Sequence, residues 1–119
     1  MNNDKTVLED ERELIGWLLV LNGPWKGRDY RLFAGKTVVG SSHYADIYLP
    51  DDRLEPFHFS IRYTQTAIWI TDLDSNAGLF IENQPVFKEK IIDETLFNTA
   101  GIDFLVKFIE DPSISTEIE

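Results

Sequence analysis

The chain has 119 residues, 43% of them hydrophobic, and its 21 acidic side chains outnumber its 11 basic ones, for a formal charge of -10. This length and composition are those of one folded domain and exclude a disordered chain. The acidic balance repels phosphate backbones and anionic lipid, which argues against nucleic acid and membrane surfaces as partners. Cysteine is absent, which excludes disulfides and thiolate chemistry.

Both ends of the chain are acidic and poor in large apolar residues. We therefore expect loose tails over residues 1–14 and 111–119, with one folded domain over residues 15–110. The polar N-terminus is unlike a signal peptide, and the longest apolar run, residues 17–21, is too short to span a bilayer. These features predict a cytoplasmic protein with no membrane insertion of this chain.

Between the tails, short runs of β-branched and aromatic residues alternate with turn signals. In chain order the apolar runs are GWLLVLNG, DYRLFAGKTVVG, DIYLP, HFSIRYT, AIWITDL, LFIEN, ETLFNTA and IDFLVKFI. Gly35 predicts a break inside the second run. Phe59, Ile61 and Tyr63 alternate with polar residues, the period of two that indicates a half-buried strand. Many short strands at this spacing predict an all-β fold, either an antiparallel β-sandwich or a small barrel.

The three tryptophans fall in two kinds of context. Trp17 and Trp69 lie in strand patterns, and we expect both in the core. Trp25 lies in the turn NGPWKGR, flanked by Lys26 and Arg28. Because tryptophan and arginine are enriched at interface hot spots, that turn is either an exposed protein-contact point or a plain hairpin turn with basic residues on an acidic surface.

Two segments resemble the motifs of the forkhead-associated (FHA) domain. VVGSSHYADIYLPDDRLEPFHFSI has Gly40 at the family's Gly-Arg, Asp46 in its Asp-Ile-x-Leu and His58 in its Ser-Arg-x-His. ITDLDSNAGLFIEN has Ser75 and Gly78 in the family's Asp-Leu-x-Ser-x-Asn-Gly-Thr. The resemblance covers nearly the whole expected domain. It implies an antiparallel β-sandwich whose loops at one end form the binding surface, and structural roles for these five residues, with His58 tying the loops together.

The positions that bind phosphothreonine peptides in the FHA family hold other residues in this chain. The replacements are Ser41 for Arg, Glu55 for Ser, Pro56 for Arg, Ala77 for Asn, Leu79 for Thr, and Glu82 for the Asn of Val-Asn-Gly. Losing three contacts of about 2 kcal/mol each weakens binding by roughly four powers of ten. Glu55 and Glu82 add repulsion, because a phosphothreonine carries about -1.5 to -2 charges at neutral pH. The resemblance therefore implies the fold without its usual phosphate ligands.

The sequence thus predicts a non-catalytic interaction module that binds a protein or peptide partner without phosphate. The carboxylates suggest a basic or hydrogen-bond-donating partner, and exposure of Phe57 and Leu79 at the loop tips would favour this hypothesis. No oligomeric state is predicted. The expected binding surface comprises Ser41, Ser42, Arg53, Glu55, Phe57, Asn76, Ala77, Leu79 and Glu82.

Two alternatives stay open. Phosphothreonine recognition through substitute ligands would use Ser42, Asn76, Arg53 or Lys26, and it predicts a basic patch among the binding loops. The second alternative rests on a further resemblance, to the FHA-like cytoplasmic domains of type III secretion inner-membrane ring proteins, in which the phosphate ligands are also lost. That resemblance implies an assembly domain that docks onto cytoplasmic sorting components.

Catalytic and metal sites lack their usual patterns. The run SSH at residues 41–43 has no Gly-x-Ser-x-Gly elbow around it. The two histidines and their neighbouring aspartates show neither His-Glu-x-x-His nor calcium-loop spacing. The pair Asp51 and Asp52 is more typical of a solvated turn. We therefore predict no enzymatic activity, no cofactor and no metal site.

Overall fold

The computed structural model describes residues 12–112, which form eleven β-strands and, within that range, no helix. They build a six-stranded sheet in the order β2-β1-β11-β10-β7-β8 and a five-stranded sheet in the order β4-β3-β5-β6-β9. The predicted all-β sandwich is confirmed. The strands are β1 (Leu14–Val20), β2 (Asp29–Phe33), β3 (Gly35–Gly40), β4 (Ile47–Tyr48), β5 (Phe59–Tyr63), β6 (Ile68–Asp72), β7 (Leu79–Ile81), β8 (Gln84–Val86), β9 (Lys88–Ile91), β10 (Leu96–Thr99) and β11 (Ile102–Phe108).

The core lies between the two sheets and takes alternate residues from the strands. In β11, for example, Ile102, Phe104, Val106 and Phe108 are buried while the residues between them are not. The ring of Phe59 meets that of Phe104 edge-on, with centroids 5.5 Å apart. Burying a side chain of this size stabilises the fold by roughly 1.5–3 kcal/mol. The sandwich is thus a rigid support for the loops at its ends.

One parallel pairing interrupts an otherwise antiparallel arrangement among the described strands. β3 and β4 run parallel, with Val39 opposite Ile47, and β4 is only two residues long. Since parallel neighbours cannot be joined by a tight hairpin, the chain leaves the sheet between them and returns as a loop. A second loop follows β4 and leads to β5. Both loops therefore lie beside the end of β3.

The apolar runs of the sequence do not predict β8 or β9, which lie at the edges of the two sheets. β8 contains Pro85, and three of the four residues of β9 are charged: Lys88, Glu89 and Lys90. Proline and charged residues are typical of edge strands, where an open ladder must not attract another chain. A search for apolar runs misses such strands.

The boundaries of the fold extend slightly beyond those expected. β1 begins at Leu14, inside the predicted tail of residues 1–14, and Pro112 is still buried. The other residues of the two predicted tails, 1–11 and 113–119, lie outside the described range. Within residues 12–112, no helix has the length and apolar character needed to cross a membrane.

The tryptophans do not follow the expectation from sequence. Trp17 and Trp69 are only partly buried, because both occupy outward-facing positions between inward-facing neighbours of β1 and β6. Their expected place in the core was wrong. Trp25 is partly buried rather than exposed and packs against the edge of the core.

Candidate functional site

Three loops lie side by side at one end of the sandwich, and we call this surface the loop end. They connect β3 to β4 (residues 41–46), β4 to β5 (residues 49–58) and β6 to β7 (residues 73–78). β3, β5 and β6 are paired in register up to their neighbouring ends, so the loops leave the sheet next to one another. These are the loops that the FHA resemblance predicts as the binding surface.

Backbone hydrogen bonds join the first two loops. Ser41 N donates to Glu55 O at 3.0 Å, and Ser42 N donates to Pro56 O at 3.2 Å. The hydroxyl of Ser41 donates to Leu54 O at 3.0 Å. The donors of Ser41 are thus directed at the neighbouring loop, and the backbone donor of Ser42 is directed there too.

Gly40 and Asp46 fix the geometry of the β3–β4 loop, as expected for framework positions. A β-carbon on Gly40 would lie 2.0 Å from Pro56 O, so no larger residue fits where the two loops touch. At the other end of the loop, Asp46 Oδ2 accepts a hydrogen bond from Val38 N at 2.8 Å. The loop is therefore held against β3 at both of its ends.

His58 links the β4–β5 loop, through Thr99 of β10, to the β6–β7 loop from a fully buried position. Its Nδ1 accepts a hydrogen bond from Glu55 N at 2.9 Å, and its Nε2 lies 2.8 Å from Thr99 Oγ1. Because the hydroxyl of Thr99 donates to Gly78 O, it accepts from His58, which places the imidazole proton on Nε2. Burial lowers the pKa of His58, and the nearby carboxylates of Asp72 and Glu55 oppose that shift. The imidazole is thus a neutral connector.

Thr99 completes this network, yet the sequence analysis did not single it out. It is fully buried at the end of β10 and joins His58 of one loop to Gly78 of another. A threonine in a strand of mixed polarity gives no signal by itself. It becomes visible only when the pairing of the strands is known.

Short hydrogen bonds shape the β6–β7 loop. Ser75 Oγ donates to Asp72 Oδ1 at 2.7 Å and accepts from Gly78 N at 3.0 Å. Gly78 has φ of 80°, in the left-handed region where glycine is favoured. Ser75 and Gly78 therefore define the turn, in line with the structural roles that the resemblance implies.

The carboxylate of Glu55 lies between two of the loops. Its Oε2 accepts a hydrogen bond from Asn76 N at 3.3 Å, across 21 positions of sequence. Glu55 is partly buried, and neither of the two ion pairs within residues 12–112 includes it. A negative charge thus occupies the boundary between the β4–β5 and β6–β7 loops, where it also engages the Asn76 backbone donor.

Arg53 lies in the β4–β5 loop, but its side chain is directed away from the other two loops of the loop end and toward two neighbouring turns. Its Nε and Nη2 donate to the two carboxylate oxygens of Asp51 at 2.9 and 2.8 Å, and these hydrogen bonds lower the pKa of that carboxyl. Its guanidinium lies beside the β1–β2 and β10–β11 turns, where β-carbons on Gly23 and Gly101 would come within 3.5 and 3.3 Å of it. Asp51 is buried, so the expected solvated turn is wrong for Asp51 and correct for the exposed Asp52.

The apolar residues of the loop end differ in exposure. Phe57 is 46% exposed, which favours the interaction hypothesis, whereas Leu79 is only 1% exposed, which does not. Leu79 begins β7 opposite Val86 and faces the core, so its expected place at a loop tip was wrong. Tyr44, which the sequence analysis did not single out, is 90% exposed in the β3–β4 loop.

Glu82 lies apart from the other predicted binding residues. It occupies the two-residue turn between β7 and β8 with Asn83, and both have positive φ, 54° and 65°. This turn is at the opposite end of β7 from the β6–β7 loop. The structure therefore brings together only part of the predicted surface, namely Ser41, Ser42, Glu55, Phe57, Asn76 and Ala77.

Metal binding has no support in the described part of the chain. Among residues 12–112, no group of three or more His, Asp or Glu side chains is placed to hold a metal ion. Lys26, one of the proposed substitute phosphate ligands, lies in the β1–β2 turn, where its N donates to Gly23 O.

Comparison with known proteins identifies the family. Residues 19–102 match the family described as "Inner membrane component of T3SS, cytoplasmic domain". The chain belongs to this family. The match runs from β1 to the start of β11 and so includes every loop of the loop end.

The fold is also similar to solved FHA domains, members of a family of interaction modules rather than enzymes. An FHA domain analysed for phosphothreonine-dependent interactions has a TM-score of 0.70 at 26% identity, covering 78% of this chain and 95% of the other. The FHA domain of the CT664 protein from Chlamydia trachomatis has a TM-score of 0.70 at 25% identity, covering 78% and 96%. The FHA-type fold is confirmed.

A curated relative that is similar in sequence also contains an FHA domain. The FHA domain-containing protein FhaA of Mycobacterium tuberculosis (strain ATCC 25618 / H37Rv) is 27% identical over 81 residues, which are 68% of this chain and 15% of the relative. The FHA domain of FhaA has been solved in complex with the intracellular domain of Rv3910. That structure has a TM-score of 0.69 at 26% identity and covers 77% of this chain and 99% of the other.

Proposed function

We propose that the loop end binds a protein or peptide partner without requiring phosphate. The observation that carries the proposal is the position of Glu55, whose carboxylate lies between two loops and accepts a hydrogen bond from Asn76 N at 3.3 Å. The FHA motif has a serine at that position. A carboxylate there repels an incoming phosphate and attracts a cation or a neutral donor.

Electrostatics supports this choice of partner. A like charge about 4 Å away near a protein surface opposes binding by on the order of 4 kcal/mol per unit charge, and a phosphothreonine carries more than one. Arg53 does not offset this repulsion, because Asp51 holds its guanidinium in a two-point ion pair. Phosphothreonine recognition through Arg53 is therefore disfavoured, because the guanidinium is already paired with Asp51.

Exposed aromatic rings supply an apolar anchor at the same surface. Tyr44 and Phe57 belong to the two loops that Ser41 and Ser42 join by backbone hydrogen bonds. Aromatic residues are enriched at interface hot spots, where they add contact area at little entropic cost. A segment that presents a basic group to Glu55 and an apolar side chain to Phe57 fits this arrangement.

Family membership supports a setting for the interaction. A cytoplasmic domain of an inner-membrane secretion component would find its partner among the other components of the assembly. We include this setting, and a cytoplasmic location, in the proposal. Phosphothreonine recognition is the competing outcome of the experiments below.

Selection from an unphosphorylated random-peptide display library, with the 119-residue chain immobilised, tests this function. We expect enriched peptides that combine a basic with an apolar residue. Their dissociation constants, measured by fluorescence anisotropy, should rise about fivefold or more in Phe57→Ser and in Glu55→Gln, since interface anchors contribute more than about 1 kcal/mol.

Glu82→Gln is the matched control, because it removes the same charge from a turn outside the loop end. It should leave the dissociation constants unchanged. Peptides that bind Phe57→Ser and Glu55→Gln as well as the unaltered chain would place the binding surface elsewhere and contradict the proposal.

A further inference from the structure

Basic residues gather on the outer face of the five-stranded sheet. Lys36, Arg62, Trp69 and Lys90 lie opposite one another on four neighbouring strands and form one row across the sheet. Lys88 faces the same side from β9, two residues before Lys90. We call these five residues the basic sheet face.

The alternation of the strands keeps acidic side chains off this face. Glu89 lies between the two lysines of β9, but it is paired with the inward-facing Ile70 and so points to the other side of the sheet. The outward positions of β3, β4, β5, β6 and β9 contain no aspartate or glutamate. The two ion pairs within residues 12–112 have Arg53 and Lys107 as their cations. The four cations of the face therefore have no ion-pair partner in that range.

The ring of Trp69 holds two of these four cations in place. The ammonium groups of Lys88 and Lys90 lie 5.0 and 5.5 Å from the centroid of its ring, within the range of a cation–π interaction. Two long side chains that are already held over a ring lose less rotamer freedom when a ligand binds. The ring also offers a flat apolar surface between the charges.

The charge of the remaining surface favours a small anionic ligand. Removing four positive charges from the formal charge of -10 leaves -14 for the rest of the chain. An extended polyanion, such as duplex nucleic acid or a lipid bilayer, meets that acidic remainder as well, because exposed charges act over a Debye length of about 8 Å. A short acidic segment meets only the basic sheet face.

We propose that the basic sheet face docks a short acidic peptide segment of a partner protein. Neighbouring strands lie about 4.8 Å apart, so the row from Lys36 to Lys90 spans roughly 14 Å. Same-side residues of an extended peptide repeat about every 6.8 Å, so acidic residues four positions apart match this span. The carboxylates contact the cations, and the chain between them crosses Trp69. This surface is separate from the loop end and does not depend on the function proposed for it.

Amide chemical shifts of the isotope-labelled 119-residue chain test the proposal, because they report even millimolar binding. The probes are the peptide Glu-Thr-Glu-Thr-Glu and its uncharged counterpart Gln-Thr-Gln-Thr-Gln. We expect only the glutamate peptide to shift the amides of β3, β5, β6 and β9. The double variant Arg62→Gln/Lys90→Gln should weaken its binding by about two- to thirtyfold, the sum expected for two exposed ion pairs.

The control Lys26→Gln/Arg31→Gln removes the same charge from outside this face and should change the affinity much less. Equal shifts from the glutamine peptide, or equal losses in the two double variants, would overturn the proposal. So would the absence of shifts from either peptide. Co-sedimentation with phosphatidylglycerol vesicles, lost in Arg62→Gln/Lys90→Gln without any response to the glutamate peptide, would assign the face to lipid instead.

Discussion

The loop end contains a carboxylate, whereas the basic sheet face contains four cations. The FHA resemblance leads one to expect the cations at the loop end instead. The loop end, where the FHA resemblance predicts a surface for phosphothreonine peptides, contains the carboxylate of Glu55. The flank of the five-stranded sheet contains Lys36, Arg62, Lys88 and Lys90 around a tryptophan. In this chain, therefore, the hydrogen-bond network that shapes the loops is present together with a carboxylate at the expected phosphate position, so the shape of the loops and their surface charge are separate features.

The reason lies in where each group of residues sits. His58 and Thr99 are fully buried and hydrogen-bonded, and Gly40 touches the backbone of the next loop. Replacing such residues opens a cavity, a clash or an unsatisfied donor. Apart from Leu79, which is buried, the ligand positions are exposed or partly exposed, so their replacement changes chemistry without unfolding the domain. The following predictions test that division, from the largest expected effect to the smallest.

Gly40→Ala should destabilise the fold by about 3 kcal/mol or more, because its β-carbon would lie 2.0 Å from Pro56 O in backbone that cannot easily move. Urea unfolding monitored by tryptophan fluorescence measures the change. Ser42→Ala is the control: it removes only an oxygen that accepts from Tyr44 N, and it should lower the stability by about 1 kcal/mol or less. A loss below about 1 kcal/mol for Gly40→Ala would show that the loops do not need this close contact.

The buried His58 predicts a stability that falls in mild acid. Its pKa is lowered in the folded state, so between that pKa and about 6.5 the unfolded chain binds a proton that the folded chain does not. The contribution of His58 to the free energy of unfolding is therefore complete above about pH 6.5 and is lost as the pH falls below that value. The loss is up to about 1 kcal/mol between pH 6.5 and 5.5.

Urea unfolding of the wild-type chain and of His58→Gln at both pH values isolates this contribution from that of the many carboxylates. The variant should lack the histidine part of the pH dependence. An identical pH dependence in the two proteins would show that His58 titrates normally and is not the neutral connector described above.

Arg62→Gln/Lys90→Gln should leave the stability within about 0.5 kcal/mol of the wild type, because both side chains are exposed and neither forms an ion pair within residues 12–112. The same urea experiment provides the value. A loss above about 2 kcal/mol would mean that these cations support the sheet itself, and the contrast between a structural network and variable surface charge would fail at this face.

The sequence was sufficient for the fold and for the framework of the loop end. The FHA motifs identified Gly40, Ser75 and Gly78. Close approach restricts Gly40, positive φ restricts Gly78, and two side-chain hydrogen bonds account for Ser75. The exposed Phe57 was also placed correctly, because the FHA resemblance assigns it to a loop of the binding surface. Such features are local, and local patterns express them directly.

Other features depend on strand pairing and were not predictable from local patterns. Leu79 faces the core because of its register with Val86, and Glu82 follows at the far end of the same short strand. The basic sheet face exists only because three pairings place residues 36, 62, 69 and 90 in one row. Residues so distant in the sequence show no common pattern until the sheet order is known.

The central claim is that the loop end has exchanged phosphate recognition for phosphate-independent binding. Its most direct test is a fluorescence anisotropy titration of the 119-residue chain with a degenerate phosphothreonine peptide library and with the same library unphosphorylated. The account predicts no phosphate-dependent gain in affinity, with the phosphorylated library binding no more tightly than its counterpart. Micromolar binding that disappears on dephosphorylation would contradict it and would make Asn76 and Ser42 the substitute ligands to test first.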